Sequence, residues 1–77
     1  MNKKIKFIWD FYGNDSEKTA NHSLIHLHNF LIKNDIDVYS KGVLKESDNH
    51  FYSYLILNIE HLNFIKEKLK PNRAFYV

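Results

Sequence analysis

Lys4-Ile5-Lys6-Phe7-Ile8-Trp9-Asp10-Phe11-Tyr12, followed at once by Gly13-Asn14-Asp15-Ser16, is the stretch that decides the fold. In an extended chain Ile5, Phe7, Trp9 and Phe11 fall on one face, and Lys6, Ile8, Asp10 and Tyr12 on the other. Alternation with a period of two, enriched in aromatic residues, marks a strand with one apolar core face. Gly13 to Ser16 is turn chemistry. Asp15 or Ser16 can cap a following helix, and Glu17 sits in its first turn, where a carboxylate complements the helix dipole.

Beyond that turn the period changes. Ala20, Leu24, Leu27 and Leu31 recur at helical spacing and make one apolar stripe over a helix from Ser16 to about Asn34. His22, His26, Asn29 and Lys33 lie on its outer face, with His28 at the seam between helix and sheet. Ile36 to Lys45 reads as a second strand, with Gly42 marking a bulge or bend. Its register is open, because Ile36, Val38 and Leu44 compete with Tyr39 and Val43 for the core face. Glu46 to Asn49 is a turn. Phe51 to Ile59 is a third strand, with Phe51, Leu55, Leu57 and Ile59 on one face and His50, Tyr52, Tyr54, Ile56 and Asn58 on the other. Glu60 to Lys70 is a second helix, with Leu62, Ile65 and Leu69 inward, and Pro71 stops it. Arg73 to Val77 is a last, short strand.

The order βαββαβ predicts an α+β sandwich of the ferredoxin-like kind. Its four-stranded antiparallel sheet runs in the order 4-1-3-2, with both helices on one face. Residues 1–77 form a single domain on this reading. At 77 residues the chain buries only about 60% of its unfolded surface. There is no Cys for a disulfide staple or a thiolate metal site, so 6 Phe, 5 Tyr and 1 Trp must supply the core or recruit a partner to it.

The charge balance excludes some partners. Lys and Arg total 11 against 9 Asp and Glu, and Arg73 is the only Arg. A module dedicated to duplex DNA carries a denser basic patch and more Arg for bidentate contacts, so nucleic acid is not the expected partner. No apolar run approaches the roughly 20 residues of a membrane span. The start, Met1-Asn2-Lys3-Lys4, leads into a charged strand rather than a signal-peptide core. The chain reads as soluble and cytoplasmic, with no membrane partner.

The topology then places chemistry. The end of the first strand meets the start of the third, so Asp10 and Tyr12 lie near His50 and Tyr52 on the face the helices leave open. Arg73 arrives at the same end, with Asn14 and Asp15 close by. Asp10 beside His50 is a candidate acid–base pair, in which the carboxylate orients the imidazole. Tyr12 and Tyr52 are candidates to hold a substrate oxygen, and Arg73 to steady an anion. The plainer reading is a cross-strand polar pair worth about 0.2–1 kcal/mol.

His22 and His26, four residues apart, form a second constellation with the geometry to grip a divalent metal. The Glu of the HExxH pattern is absent and no third ligand sits on that face, so a solvated helix face is the plainer reading. No cofactor is required by any motif.

Ile8, Tyr12, Tyr52, Tyr54 and Ile56, extended by Tyr76 or Phe75, make an apolar patch on the open face, of a kind that soluble monomers seldom expose. A second copy of the chain or stacked single-stranded bases would suit it. Phe51-Tyr52-Ser53-Tyr54-Leu55 has the aromatics of an RNA-reading strand and lacks the basic-Gly element, so self-association is favoured. The expectation is a small homo-oligomeric, homodimeric binding or regulatory module with a small-molecule ligand near Asp10, His50 and Arg73. A small enzyme using the same corner is the alternative, and a metal-binding protein using His22 and His26 is a third.

Overall fold

The computed structural model describes residues 3–77. β1 (Lys4–Tyr12) is followed by α1 (Ser16–Lys33), β2 (Ser40–Ser47) and β3 (His50–Asn58). A single 3-10 turn (Ile59–His61) leads into α2 (Leu62–Leu69) and then β4 (Arg73–Tyr76). The sheet order is β2-β3-β1-β4 with every pairing antiparallel, which is 4-1-3-2 read from the other edge. The fold is therefore α+β, with one open four-stranded sheet and two helices, in the order the sequence predicts.

The core lies between the sheet and the helices. Ile5, Phe7 and Trp9 of β1 and Leu55 and Leu57 of β3 meet Leu27 and Leu31 of α1 and Ile65 of α2. Fully burying each such side chain is worth about 1.5–3 kcal/mol, which is what offsets the chain entropy of so short a domain. Trp9 also fixes the end of α2, because its indole Nε1 donates to the Leu69 carbonyl at 2.8 Å. Past that contact Lys70 takes a left-handed conformation (φ 46°) and Pro71 prevents the helix from continuing.

β1 runs as the alternation predicts, and the other boundaries show how local hydrogen bonds decide what periodicity cannot. β2 begins at Ser40, not at Ile36. The four residues before it belong to the end of α1 and the crossing that follows. Asp35 is left-handed (φ 56°), its N–H donates to the Ile32 carbonyl at 3.1 Å, and the Ile36 N–H reaches back to Leu31 at 2.9 Å. This paired closure is a Schellman motif, and it commits Ile36 to the helix end. Ile36 and Val38 still pack against the core, but from the connection.

Within β2, Val43 lies opposite the buried Ser53 on the helix side, whereas Leu44 lies opposite Tyr52 and is exposed. Tyr39 is exposed as well. Gly42 is not the bulge: it pairs regularly with Tyr54, and the irregularity falls between Lys45 and Ser47. What Gly42 provides is room. A Cβ there would meet the Tyr54 ring edge at 3.0–3.2 Å.

The second helix is also shorter than its periodicity implies. Asn58 caps the 3-10 turn, its Oδ1 accepting from the Glu60 N–H at 3.0 Å, and regular α-helix starts only at Leu62. At α1, Asp15 holds the cap position through its backbone carbonyl, which accepts from Thr19 at 2.9 Å. Neither Asp15 nor Ser16 caps with its side chain; Ser16 is buried and its Oγ has no partner among the described residues.

Candidate functional site

Two antiparallel pairings assemble one corner of the open face. β1 against β3 sets Asp10 opposite Tyr52 and Tyr12 opposite His50. β1 against β4 sets Ile8 opposite Arg73, one diagonal step from Asp10. Residues opposite one another share a sheet face, so all five residues named for the corner by sequence are brought together. The Asp10 carboxylate is the hub. Oδ1 accepts from His50 Nε2 at 2.7 Å and from Arg73 Nη2 at 2.7 Å, and Oδ2 accepts from Arg73 Nε at 3.0 Å. Only 7% of the Asp10 side chain is exposed, against 38% for Arg73.

The two-point fork matches guanidinium to carboxylate in one plane. The rings stack around it: Tyr12 lies over His50 with centroids 4.3 Å apart, and the Arg73 guanidinium sits 5.6 Å from the centre of Tyr52.

The electrostatics follow from burial and these partners. Desolvation pushes the Asp10 pKa up, but hydrogen bonds and charge from Arg73 and His50 outweigh it and hold the carboxyl below its ordinary value of 3.8. Arg73 moves the opposite way, chiefly through its hydrogen bonds to Asp10, with Glu46 and Tyr12 contributing charge. An ionised carboxylate offers no proton, so the His50–Asp10 bond requires that Nε2 carry it. His50 is thus held with its Nε2–H toward Asp10, which leaves Nδ1 as the nitrogen able to meet another group.

Several contributors were not visible by periodicity. Asn72 Oδ1 accepts from the Asp10 N–H at 2.9 Å, while the Asn72 N–H donates to the Ile8 carbonyl at 2.9 Å, so Asn72 locks the start of β4 against β1. Lys6 places its ammonium 4.7 Å from the Tyr54 ring centre and 5.8 Å from that of Tyr52, and Lys4 lies 4.4 Å from Tyr39. The signal for Lys6 was its alternation, two residues from Ile8 on the open face and diagonal to Tyr54.

The open face differs in detail from a bare apolar patch. Ile8 is 4% exposed and adds nothing to its surface. Tyr76 pairs with Ile5, which puts it on the helix side, and Phe75, opposite Lys6, is the residue that extends the face. Asn14 and Asp15 are exposed and make no hydrogen bond to the corner; Asp15 instead lines a depression beside His22.

One depression of about 550 Å³ lies along α1 beside Lys18, His22 and Ile25, and another of about 390 Å³ lies between Lys3, Ile59 and Val77. His22 and His26 stand together on exposed α1, with Nε2 atoms 2.9 Å apart. His28 is half-buried and its Nδ1 has no partner among the described residues. Among the described residues no three His, Cys, Asp or Glu side chains cluster as a metal site. No described helix is long and apolar enough to cross a membrane. No family model matches the chain, and neither a curated protein nor a solved structure matches it.

Proposed function

We propose that the chain is a small cytoplasmic binding module that pairs with a second copy of itself through the open sheet face. Its ligand site would be the Asp10–His50–Arg73 corner at the margin of that interface, with Tyr12 and Tyr52 as its walls. The observation that carries the reading is the apolar content of a face no helix covers. Tyr12, Leu44 and Phe75 are 73%, 46% and 49% exposed there, around half-buried Tyr52, Tyr54 and Ile56.

Size supports it. Four strands about 4.8 Å apart and about seven residues long present roughly 450 Å² of plan area, so two copies bring together roughly 900 Å² before side-chain relief is counted. Specific interfaces begin near 1,200 Å² of accessible surface, which a corrugated face of this plan area reaches. Charge opposes it modestly. Lys4, Lys6 and Arg73 outnumber Asp10 and the Glu46 near Arg73, so apolar burial must outweigh a small like-charge repulsion that salt screens.

Light scattering over a tenfold range of protein concentration tests the reading. A mass of twice 9.3 kDa is expected for the native chain. Phe75→Lys is expected to give the monomer, and Ile25→Lys, on the exposed outer side of α1, to leave the dimer intact. A native chain that stays monomeric, or a Phe75→Lys variant that still pairs, would contradict it.

A second reading, acid–base chemistry at the corner, has the 2.7 Å Asp10–His50 bond in its favour. His50 would be the acting group through Nδ1, and Asp10 a positioning residue, because the Arg73 fork makes its carboxylate a poor proton acceptor. An activity or ligand-induced shift that is unchanged in Asp10→Asn would remove that reading.

A further inference from the structure

On the opposite side of the molecule from the open face, α1 carries two imidazoles whose relation is specific. His22 and His26 are one helical turn apart, both exposed, with rings nearly perpendicular (79°) and centroids 4.5 Å apart. Their Nε2 atoms are 2.9 Å apart, so one ring donates its Nε2–H to the Nε2 of the other. Two imidazoles one turn apart on a single helix face are also within reach of one cation. Imidazole nitrogen sits about 2.0–2.1 Å from a first-row divalent ion. Among first-row divalent ions the affinity of nitrogen sites peaks at Cu²⁺ and is also high for Ni²⁺, and tetragonal or octahedral coordination leaves open positions for water beside two imidazoles.

We propose that His22 and His26 form a two-point chelate for Ni²⁺ or Cu²⁺, with water in the remaining positions. No third protein ligand is at hand among the described residues. Lys18 and Asp15 line the depression beside His22, so one positive and one negative side chain stand on that side of the pair. Binding requires the proton of the His–His hydrogen bond to move from Nε2 to Nδ1 of the same ring. Both imidazoles stay neutral and no net proton is released by that shift. The helix itself need not rearrange, because both side chains are exposed on one helix face and rotation of the rings alone brings two lone pairs onto the ion.

The test is a titration of the full chain with Ni²⁺ alone, followed by NMR. Broadening centred on His22 and His26 and saturation at one ion per chain are expected. His26→Ala should weaken binding at least tenfold with the rest of the spectrum unchanged. His26→Ala combined with Asn29→His keeps five histidines but spaces the pair seven residues apart, about 10 Å along the helix. That variant should bind as weakly as the single substitution. Broadening centred instead on His28, His50 or His61, or native affinity in either variant, would overturn the assignment. Both positions are exposed, so loss of binding does not stand in for loss of fold.

Discussion

Asp10 shows how much a single position can carry when three strands converge on it. Its carboxylate is nearly buried, yet it stays ionised because Arg73 and His50 supply three hydrogen bonds. The sign of its pH dependence follows. Its folded pKa lies below the ordinary 3.8, so its contribution to stability is complete above the unfolded value and is lost as pH falls through the folded one. Asp10→Asn is expected to lower stability by about 2 kcal/mol at neutral pH, since it leaves the guanidinium facing an amide. Urea unfolding of both forms measures this. The gap should be constant above about pH 5 and close on acidification; a gap independent of pH down to 2 would contradict the assignment.

Strand alternation together with the βαββαβ order was enough to place Asp10, His50, Tyr12, Tyr52 and Arg73 together, because the order makes the strands neighbours and pairing partners share a face. It put Lys6 on the open face without its reach over Tyr52 and Tyr54, and it could not place Asn72, because both roles depend on side-chain torsions rather than on face.

At the scale of elements, strong periodicity located β1 and α1, and what it missed was the competition at their ends. Ile36 and Val38 are as apolar as strand residues and do reach the core. The Schellman closure of α1 nevertheless claims Ile36 first, and a strand starts only after the chain has crossed back to the sheet. Gly42 was legible as exceptional but not for its reason, which is the Tyr54 ring lying across it. Asp35 offers a test of this account of the helix end. A non-glycine residue in the left-handed region costs about 1–2 kcal/mol, and Gly gives back part of that through a looser unfolded chain. Asp35→Gly is therefore expected to raise stability by about 0.5 kcal/mol, read as a higher urea midpoint at unchanged slope. A decrease would mean that the Asp35 side chain holds the turn in some other way.

For the whole molecule, the two-layer plan leaves one sheet face without a covering layer, and this much followed from element order. The composition of that face did not. Tyr52 and Tyr54 there are overlaid by Lys6 rather than bare, and Ile8 is buried beneath its neighbours. A cation over an aromatic ring shields it from water without closing the face to a partner, since the lysine stem is itself apolar. The same cations make salt a discriminating variable. Apolar pairing of two like-charged faces strengthens as salt screens them, whereas binding of a polyanion such as single-stranded nucleic acid weakens.

The most direct measurement is the molecular mass by light scattering at fixed protein concentration, from low to roughly 0.5 M salt, where the screening length falls to a few ångströms. A monomer–dimer equilibrium that shifts toward dimer as salt rises is the expected result. A chain that remains monomeric throughout, or a dimer that salt dissociates, would contradict self-association through the open face.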